Sequence, residues 1–269
     1  MKYLRITYRL TALALLSISG LVLMGIYSPR SQSRKNDQNV AEEAKDVDDK
    51  KHLGITQKQK NIREWWLKKV VAIVGITLTV EGDSHKGSAL WVANHVSWLD
   101  IPIIGSEGAA FLSKAEIRKW PVIGWLAEKG GTVFIQRGGK NASQNASAKI
   151  SETIKAGDRI LIFPEATTGN GYELKQFHAR MFAPAIDHQL SVQPIAIRYL
   201  DTQGRVHPAI FWGDESFMSN LMSILGASGI HVELTFFPIL EGHKFSERKH
   251  LAEHAENQVR EVVEKTKLR

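Results

Sequence analysis

One histidine and one aspartate in the run NHVSWLD have the residue types and spacing of an acid–base pair. His95 follows the apolar stretch Ala89–Ala93, and Asp100 comes five residues later. A carboxylate about one turn beyond a histidine can hold one ring nitrogen and fix the tautomer, which leaves the other nitrogen free to take a proton from a hydroxyl group. This is two-thirds of a serine-hydrolase triad, with a substrate alcohol in the place of the serine. The alternative is a surface histidine near an aspartate that caps a helix.

A second polar cluster follows the next candidate strand, in the run RILIFPEATTGNG. Glu165 can hold hydroxyl groups of a substrate, and we expect Thr167, Thr168 and bare backbone amides to bind phosphate or carbonyl oxygens. The alternative is a capped turn that leads into a helix.

Two cations each close a predicted strand between these clusters. Lys114 and Arg137 are suited to bind anionic oxygens if they lie on the ligand side of a parallel sheet. The alternative is a pair of solvated charges at loop ends. Backbone amides near Asn94 or in the glutamate loop can stabilise an oxyanion, and we include Asn94 among the predicted substrate-binding residues.

The elements that must position these residues alternate from Ile76 onward. Several apolar runs lack polar alternation, which is typical of strands buried on both faces. The predicted strands are Thr77–Glu81, Ala89–Ala93, Ala109–Leu112, Gly131–Ile135, Arg159–Phe163, Ser191–Tyr199 and His231–Phe237. The predicted helices are Trp98–Gly105, Ala115–Lys119, Ile123–Lys129, Ala142–Ala156, Met181–His188, Phe217–Leu225 and Ser246–Lys267. This order predicts an α/β fold with a mostly parallel central sheet flanked by helices, which binds ligands beyond the carboxyl ends of its strands.

The N-terminus is apolar and predicts a membrane anchor helix over residues 1–29. The run Leu10–Tyr27 carries no charge and, as a helix, reaches about 27 Å, enough to cross a hydrocarbon core. A cleaved signal peptide is the alternative, but the run lacks a clear small-x-small cleavage site. Basic residues flank both ends, so the charge distribution gives no firm orientation.

Three further regions follow the anchor. Residues 30–59 are polar and charge-rich and predict a linker, and residues 76–269 form the predicted catalytic domain. Between them, residues 60–75 predict an amphipathic helix at the membrane interface, with Trp65 and Trp66 at headgroup depth. Arg63, Lys68 and Lys69 are expected away from its apolar face or at the edge. The alternative is an ordinary amphipathic helix packed on the core.

The composition limits the function classes. The 269-residue chain has a formal net charge of +7 and no cysteine. The charge suits a nucleic acid, an anionic membrane surface, an anionic substrate or an unspecialised basic surface. The lack of cysteine excludes disulfides, Cys-ligated zinc and a cysteine nucleophile.

Together and in this order, the polar runs resemble the motifs of the PlsC-like glycerolphosphate and lysophospholipid acyltransferase family. NHVSWLD resembles the first motif, HxxxxD, which implies that His95 and Asp100 are catalytic. GTVFIQRG resembles the second motif, which implies that Arg137 contacts phosphate. FPEATTGNG resembles the third motif, usually FPEGTRS, which implies that Glu165 binds the acceptor.

Two more segments are similar to this family. VQPIAIRY, around Pro194, resembles the fourth motif, and KAEIRKWPVIGW is similar to the segment between the first two motifs. The resemblance extends from about Trp65 to Leu240. It implies transfer of a fatty acyl chain from acyl-CoA or acyl carrier protein to the free hydroxyl of a lysolipid in a membrane.

The third motif departs from the family pattern. Ala166 stands where a glycine is usual, which is costly if that position has a positive φ. Thr168 replaces an arginine and so removes a candidate phosphate ligand, and His178 replaces a lysine in a later FKxG-like stretch. ATTGNG, with the later run FWGDESF, is similar to a bacterial branch that includes lyso-ornithine lipid acyltransferases.

From the resemblance, the expected acceptor is 1-acyl-sn-glycerol-3-phosphate, with lyso-ornithine lipid or another lysophospholipid as the alternative. We expect no metal and no cofactor, no nucleic-acid partner, and a location at the bacterial inner membrane with the catalytic domain on the cytoplasmic face. Two other classes remain open. One is a hydrolase that activates water, although no GxSxG elbow occurs in the sequence, and the other is a non-catalytic lipid-binding protein.

Overall fold

The computed structural model describes residues 1–27, 55–136, 142–210 and 216–265. Within them, eight strands form one sheet. The strands are β1 (Ile76–Glu81), β2 (Ala89–Ala93), β3 (Ala110–Lys114), β4 (Val133–Ile135), β5 (Arg159–Ile162), β6 (Ser191–Leu200), β7 (Ile230–Phe236) and β8 (Leu240–Glu241). Most of the predicted linker, from residue 30 to residue 54, lies outside the described residues.

The sheet order places β2 at its centre. The order is β1-β7-β6-β2-β5-β3-β4, and β8 pairs with the first residues of β6. Strands β6, β2, β5, β3 and β4 are parallel, whereas β7 is antiparallel to β6 and parallel to β1. The predicted mostly parallel sheet is therefore confirmed, with an antiparallel junction between β6 and β7.

Helices cover both faces of the sheet. They are α1 (Lys2–Tyr27), α2 (Gln57–Val74), α3 (Asp100–Gly105), α4 (Ile123–Lys129), α5 (Ala142–Lys155), α6 (Ala183–Asp187), α7 (Phe217–Gly226) and α8 (Arg248–Val263). Short 3₁₀ helices at Ala115–Lys119, Ala179–Phe182 and Gly242–Lys244 complete the described elements. Every residue of β2 is buried. Successive side chains of a strand point to opposite faces, so Trp91 packs in one core cluster and Leu90 in the other.

Helix α2 corrects two sequence predictions. It begins at Gln57, because Thr56 and Gln59 form a capping box, and it ends at Val74 rather than residue 75. Arg63 was predicted away from the apolar face or at its edge, but it is 6% exposed and donates to the Gly130 and Gly108 carbonyl oxygens at 2.9 and 3.1 Å. That face of α2 therefore packs on the α/β part of the chain.

Helix α1 runs antiparallel along α2. The Trp66 indole nitrogen donates to the Leu16 carbonyl oxygen at 2.9 Å, and Lys58 Nζ lies 3.7 Å from the centre of the Tyr27 ring. At the other end, a Cβ atom on Gly75 would lie 2.1 Å from the Arg9 guanidinium, and Gly75 has φ 79° as the left-handed cap of α2. Glycine is therefore favoured there by the backbone conformation, and a side chain would also displace the Arg9 guanidinium.

Two arginines of α1 bind the carboxyl end of α7. Arg9 Nη1 donates to the Leu225 and Ala227 carbonyl oxygens at 2.9 and 2.8 Å, and Arg5 Nη1 donates to the Gly226 oxygen at 2.9 Å. These carbonyl groups have no partner within their own helix and carry partial negative charge. The N-terminal half of α1 is thus docked on the end of α7.

The outward face of α1 is apolar. Leu15, Ile18 and Val22 are exposed, whereas Leu16, Gly20 and Met24 on the inward face are buried. Among the described residues, α1 is the one helix long and apolar enough to cross a membrane, with a mean hydropathy of 2.1 over an 18-residue stretch. Its length and composition indicate association with a membrane.

Candidate active site

The histidine and aspartate of NHVSWLD meet beyond the carboxyl end of β2. His95 is the second residue after the strand, and its Nδ1 lies 2.7 Å from Asp100 Oδ2 at the start of α3. The His95 side chain is 21% exposed, whereas the Asp100 side chain is fully buried. The predicted hydrogen bond therefore forms, and it joins a buried carboxylate to a ring that solvent can reach.

The buried Asp100 carboxylate is surrounded by donors. Besides His95, its Oδ2 atom accepts hydrogen bonds from the backbone amides of Val96 and Ser97 at 2.7 and 3.0 Å. Its Oδ1 atom accepts one from the Tyr199 hydroxyl at 2.5 Å. A carboxylate removed from water loses hydration, and several hydrogen bonds to its charged form offset that loss.

The imidazole ring of His95 also packs against an aromatic ring. Phe163, the first residue after β5, stacks on it with ring centres 4.1 Å apart and planes 13° apart. Within the described part of the chain, no hydrogen-bond partner contacts the second ring nitrogen, Nε2. The ring is therefore fixed by Asp100 and Phe163, with one nitrogen free for a substrate proton.

The loop that follows β5 holds the backbone of His95 on both sides. Glu165 Oε1 accepts a hydrogen bond from the His95 amide at 2.7 Å, and the Gly169 amide donates to the His95 carbonyl oxygen, also at 2.7 Å. Glu165 Oε2 accepts from the Lys175 amide at 3.0 Å. Both carboxylate oxygens of Glu165, predicted to bind the acceptor, are thus engaged by the protein's own backbone.

The environment of Glu165 shifts its titration. Burial raises the pKa of Glu165 to about 7, and the hydrogen bonds from the His95 and Lys175 amides act in the opposite direction. The charge of nearby Asp100 also raises this pKa, and that of His95 lowers it. Glu165 is therefore electrostatically coupled to the His–Asp pair.

Ala166 has a positive φ, the conformation in which an alanine is costly in place of the family's usual glycine. Its φ is 59°, in the left-handed region that favours glycine. The chain turns at this residue, between Glu165 and the threonines, so that Gly169 can reach His95. An alanine is accommodated here at the expense of backbone strain.

Asn94 is occupied by the neighbouring strand. Its Nδ2 donates to the Ile197 carbonyl oxygen at 3.0 Å, and its Oδ1 accepts from the Ile197 amide at 2.8 Å. The side chain thus continues the ladder between β2 and β6 past the end of β2, and it is 2% exposed. The side chain of Asn94 is therefore occupied within the protein, so its predicted substrate role can only be filled by its backbone groups.

The other predicted residues lie around the same edge of the sheet. The strand pairings put Phe111 of β3 level with Trp91 of β2, two strand spacings or about 10 Å away, and Lys114 is the last residue of β3. Lys114 and Thr167 are exposed, and Thr168 is partly buried, with its carbonyl oxygen accepting from Lys175 Nζ at 2.8 Å. Arg137 lies outside the described residues.

Tyr199 and Phe163 are functional candidates that the sequence did not single out. Each was predicted as part of a strand, and each contacts the His–Asp pair from the carboxyl end of a strand next to β2. An aromatic residue at such an end carries the same positional signal as His95. The sequence does not state which strands are neighbours, so this signal could not be used. Among the described residues, no group of three or more His, Asp or Glu side chains could hold a metal ion.

The fold has a counterpart among solved structures. It is similar to the crystal structure of PlsC, the 1-acyl-sn-glycerophosphate (LPA) acyltransferase from Thermotoga maritima, with a TM-score of 0.67 over 100% of this chain and 99% of that chain. The sequences are 20% identical, so this likeness concerns the fold. The likeness thus confirms the predicted fold, a mostly parallel sheet flanked by helices.

Sequence comparison then gives the family. Residues 58–198, more than half of the chain, match the model of the family described as Acyltransferase. The chain is 42% identical to a lyso-ornithine lipid O-acyltransferase from Pseudomonas aeruginosa, over 67% of this chain and 70% of that protein. It is 30% identical to a 1-acyl-sn-glycerol-3-phosphate acyltransferase from Neisseria gonorrhoeae, over 71% of this chain and 75% of that protein. The chain belongs to the acyltransferase family, which confirms the resemblance found in its motifs.

Proposed function

We propose that this chain is a lysolipid O-acyltransferase in which His95 is the general base and Asp100 orients it. The observation that carries the proposal is the 2.7 Å hydrogen bond between His95 Nδ1 and the buried Asp100 carboxylate, which leaves the second ring nitrogen facing a partly exposed site. A base held in this way can take a proton from a bound hydroxyl group.

In the proposed reaction, the acyl chain passes directly from the thioester to the acceptor hydroxyl. His95 Nε2 takes the proton of the acceptor hydroxyl as its oxygen attacks the carbonyl carbon of the thioester. The carbon–sulfur bond then breaks, and the thiolate leaves with the proton from the imidazolium, so that His95 returns to its neutral form. Asp100 stabilises the imidazolium while it exists. No metal or cofactor takes part in the proposed step, and the donor is acyl-CoA or acyl carrier protein.

The acceptor we propose is lyso-ornithine lipid. The more similar of the two relatives described above has that acceptor in its name. Thr168 also stands where the family motif has a cationic side chain, which favours an acceptor without phosphate. 1-Acyl-sn-glycerol-3-phosphate is the second candidate, because Lys114 lies exposed at the ligand edge and can pair with a phosphate.

We place the enzyme on the cytoplasmic face of the bacterial inner membrane, with α1 lying within one leaflet. The inward face of α1 is docked on α2 and α7. If α1 crossed the membrane, α2 would have to enter it as well, and Lys60, Lys68 and Lys69 of α2 would then lie in hydrocarbon. The apolar outward face of α1 suits the acyl-chain boundary. The same docking supports an uncleaved helix rather than a signal peptide.

A panel of acceptors tests the proposed function. Purified full-length protein in lipid vesicles would receive radiolabelled acyl-CoA or acyl-acyl carrier protein, with lyso-ornithine lipid and 1-acyl-sn-glycerol-3-phosphate in separate reactions. We expect label in ornithine lipid. Label in phosphatidic acid alone would replace the first candidate by the second.

Two variants and a reaction without acceptor complete this test. His95→Ala should lower turnover by about 10³-fold, whereas the matched control His243→Ala, an exposed histidine on the 3₁₀ helix at Gly242–Lys244, should leave it unchanged. Normal turnover by His95→Ala would contradict the assignment. Free fatty acid released without an acceptor would indicate a hydrolase, and vesicle binding without consumption of thioester would indicate a lipid-binding protein.

A further inference from the structure

A buried tyrosine contacts Asp100 on the side away from His95. The Tyr199 hydroxyl donates a hydrogen bond of 2.5 Å to Asp100 Oδ1, whereas His95 Nδ1 contacts Oδ2. Tyr199 is 2% exposed and lies one residue before the end of β6. The His–Asp pair is therefore held by two neighbouring strands, β2 through His95 and β6 through Tyr199.

The surroundings fix the direction of this hydrogen bond. Burial, together with the charge of Asp100, raises the pKa of Tyr199 well above its usual value, so the hydroxyl keeps its proton at neutral pH and acts as a donor. Asp100 Oδ2 has three donors, from His95, Val96 and Ser97. Among the described residues, Tyr199 is the one donor to Oδ1.

This arrangement has two consequences for the carboxylate. A donor on each oxygen prevents rotation of the Asp100 carboxylate, and so keeps Oδ2 aligned with the imidazole. The tyrosine hydrogen bond also disperses part of the negative charge that faces His95. Without it, Oδ1 would be a buried oxygen with no donor among the described residues, which is costly.

We propose that Tyr199 is a positioning residue for acyl transfer, whose hydroxyl holds the Asp100 carboxylate in the orientation that His95 needs. The inference rests on the proposed role of His95 as the general base. Tyr199 lies behind Asp100, and it acts through that residue rather than through substrate. The titratable groups that face one another here are His95, Asp100, Tyr199 and Glu165.

The variant Tyr199→Phe tests the proposal, because it removes the hydroxyl and keeps the ring. We expect kcat to fall about tenfold while KM for both substrates stays within about twofold, since the lost contact is not with substrate. In the pH profile of kcat/KM, the acid limb should move to higher pH, because the carboxylate that faces the imidazole keeps more of its negative charge when the tyrosine donor is removed.

Ser191→Ala is the matched control on the same strand. Ser191 lies at the first residue of β6, and its hydroxyl donates to Glu241 Oε2 at 3.3 Å, so the variant also removes a hydroxyl–carboxylate hydrogen bond. It should leave kcat and the pH profile unchanged. A Tyr199→Phe enzyme with wild-type kcat and an unmoved acid limb would overturn the proposal. So would a fall in activity that appears only as a rise in KM.

A second measurement applies if Tyr199→Phe does not fold. Wild-type protein labelled throughout with 3-fluorotyrosine has a more acidic and therefore stronger tyrosine donor, so its acid limb should move to lower pH. An unmoved limb would contradict the proposal.

His95→Ala in the same assay separates the proposed role of Tyr199 from the proposed role of His95. Loss of turnover by His95→Ala, with a wild-type profile for Tyr199→Phe, rejects the role of Tyr199 alone. Retained turnover by His95→Ala rejects the proposed function itself.

Discussion

The Glu165 carboxylate accepts a hydrogen bond of 2.7 Å from the backbone amide of His95. The two residues are 70 positions apart in the sequence, and β2 and β5 bring them together as neighbouring parallel strands. In the proposed enzyme, the glutamate of the third motif therefore holds the histidine of the first motif in place. The resemblance to the family implies another role for Glu165, binding of the acceptor, and that role remains a separate prediction.

The variant Glu165→Gln distinguishes these two roles. A glutamine offers one oxygen and one NH₂ group, so it can keep only one of the hydrogen bonds from the His95 and Lys175 amides. We expect kcat to fall about tenfold with little change in KM for the acceptor. Steady-state kinetics with varied lysolipid measure both constants. A large rise in KM with an unchanged kcat would instead support acceptor binding.

The stability of the folded protein should depend on pH through Glu165. Its pKa is raised from an ordinary 4.5 to about 7, so the folded state binds this proton more tightly than the unfolded state. The stabilisation is present in full below about pH 4.5 and is lost as the pH rises to about 7. Relative to Glu165→Gln, wild type should lose up to about 3 kcal/mol of unfolding free energy over this range.

Denaturant unfolding in detergent at several pH values measures this change. Glu253→Gln is the control, because Glu253 is an exposed residue of α8 whose nearest cation, Lys249, is 3.9 Å away. That variant should follow the pH dependence of wild type. A constant difference between wild type and Glu165→Gln from pH 4.5 to pH 8 would show that Glu165 does not carry the effect.

The variant Ala166→Gly should stabilise the protein. Ala166 has φ 59°, and a glycine in the left-handed region avoids a strain of about 1 kcal/mol. The control Ala227→Gly changes an alanine with φ −73° and should destabilise by about 0.5 kcal/mol, because glycine has more freedom to lose on folding. Thermal unfolding of both variants gives the comparison. A lower melting temperature for Ala166→Gly would contradict the assigned strain.

The variant Asn94→Ala should weaken the fold more than substrate binding. It leaves the Ile197 amide and carbonyl groups without their partners, at a cost of about 2–3 kcal/mol. Gln193→Ala is the matched control, because this buried amide also bonds to backbone groups, at Asp83, His85 and Phe237. Both variants should lose stability and keep their KM values. A rise in KM for Asn94→Ala alone would restore its predicted substrate role.

The outward face of α1 should govern attachment to the membrane. Ile18 is 58% exposed on that face, and Ile18→Asp places a charge where we expect hydrocarbon. Val80→Asp is the control, since Val80 is 44% exposed on the edge strand β1. Flotation with anionic lipid vesicles should show several-fold less bound protein for Ile18→Asp and an unchanged amount for Val80→Asp. Equal binding by both variants would contradict the proposed role of α1.

Much of the scaffold follows from local pattern. Apolar runs of four to nine residues end at polar residues, and these runs predicted seven of the eight described strands to within two residues, whereas the two-residue strand β8 was not predicted. The sequence also identified the His95–Asp100 pair, because a spacing of five residues is short enough for the two side chains to meet within one turn. The acyltransferase family was recognisable from the order of the motifs, and the match over residues 58–198 confirms it.

Other features were decided by the tertiary structure alone. The hydrogen bond between Tyr199 and Asp100 joins residues 99 positions apart, and it depends on β6 lying beside β2. The burial of Arg63 depends in the same way on two carbonyl groups supplied by distant loops. The local sequence pattern indicates whether a residue lies in a helix or a strand and whether it lies on an apolar face, because residues within one turn of it determine these properties. Which strands are adjacent, and so which donors surround a carboxylate, is determined by packing of the whole sheet. In this protein the sequence therefore specified the proposed base and the aspartate that contacts it, and the fold added the residues that hold them.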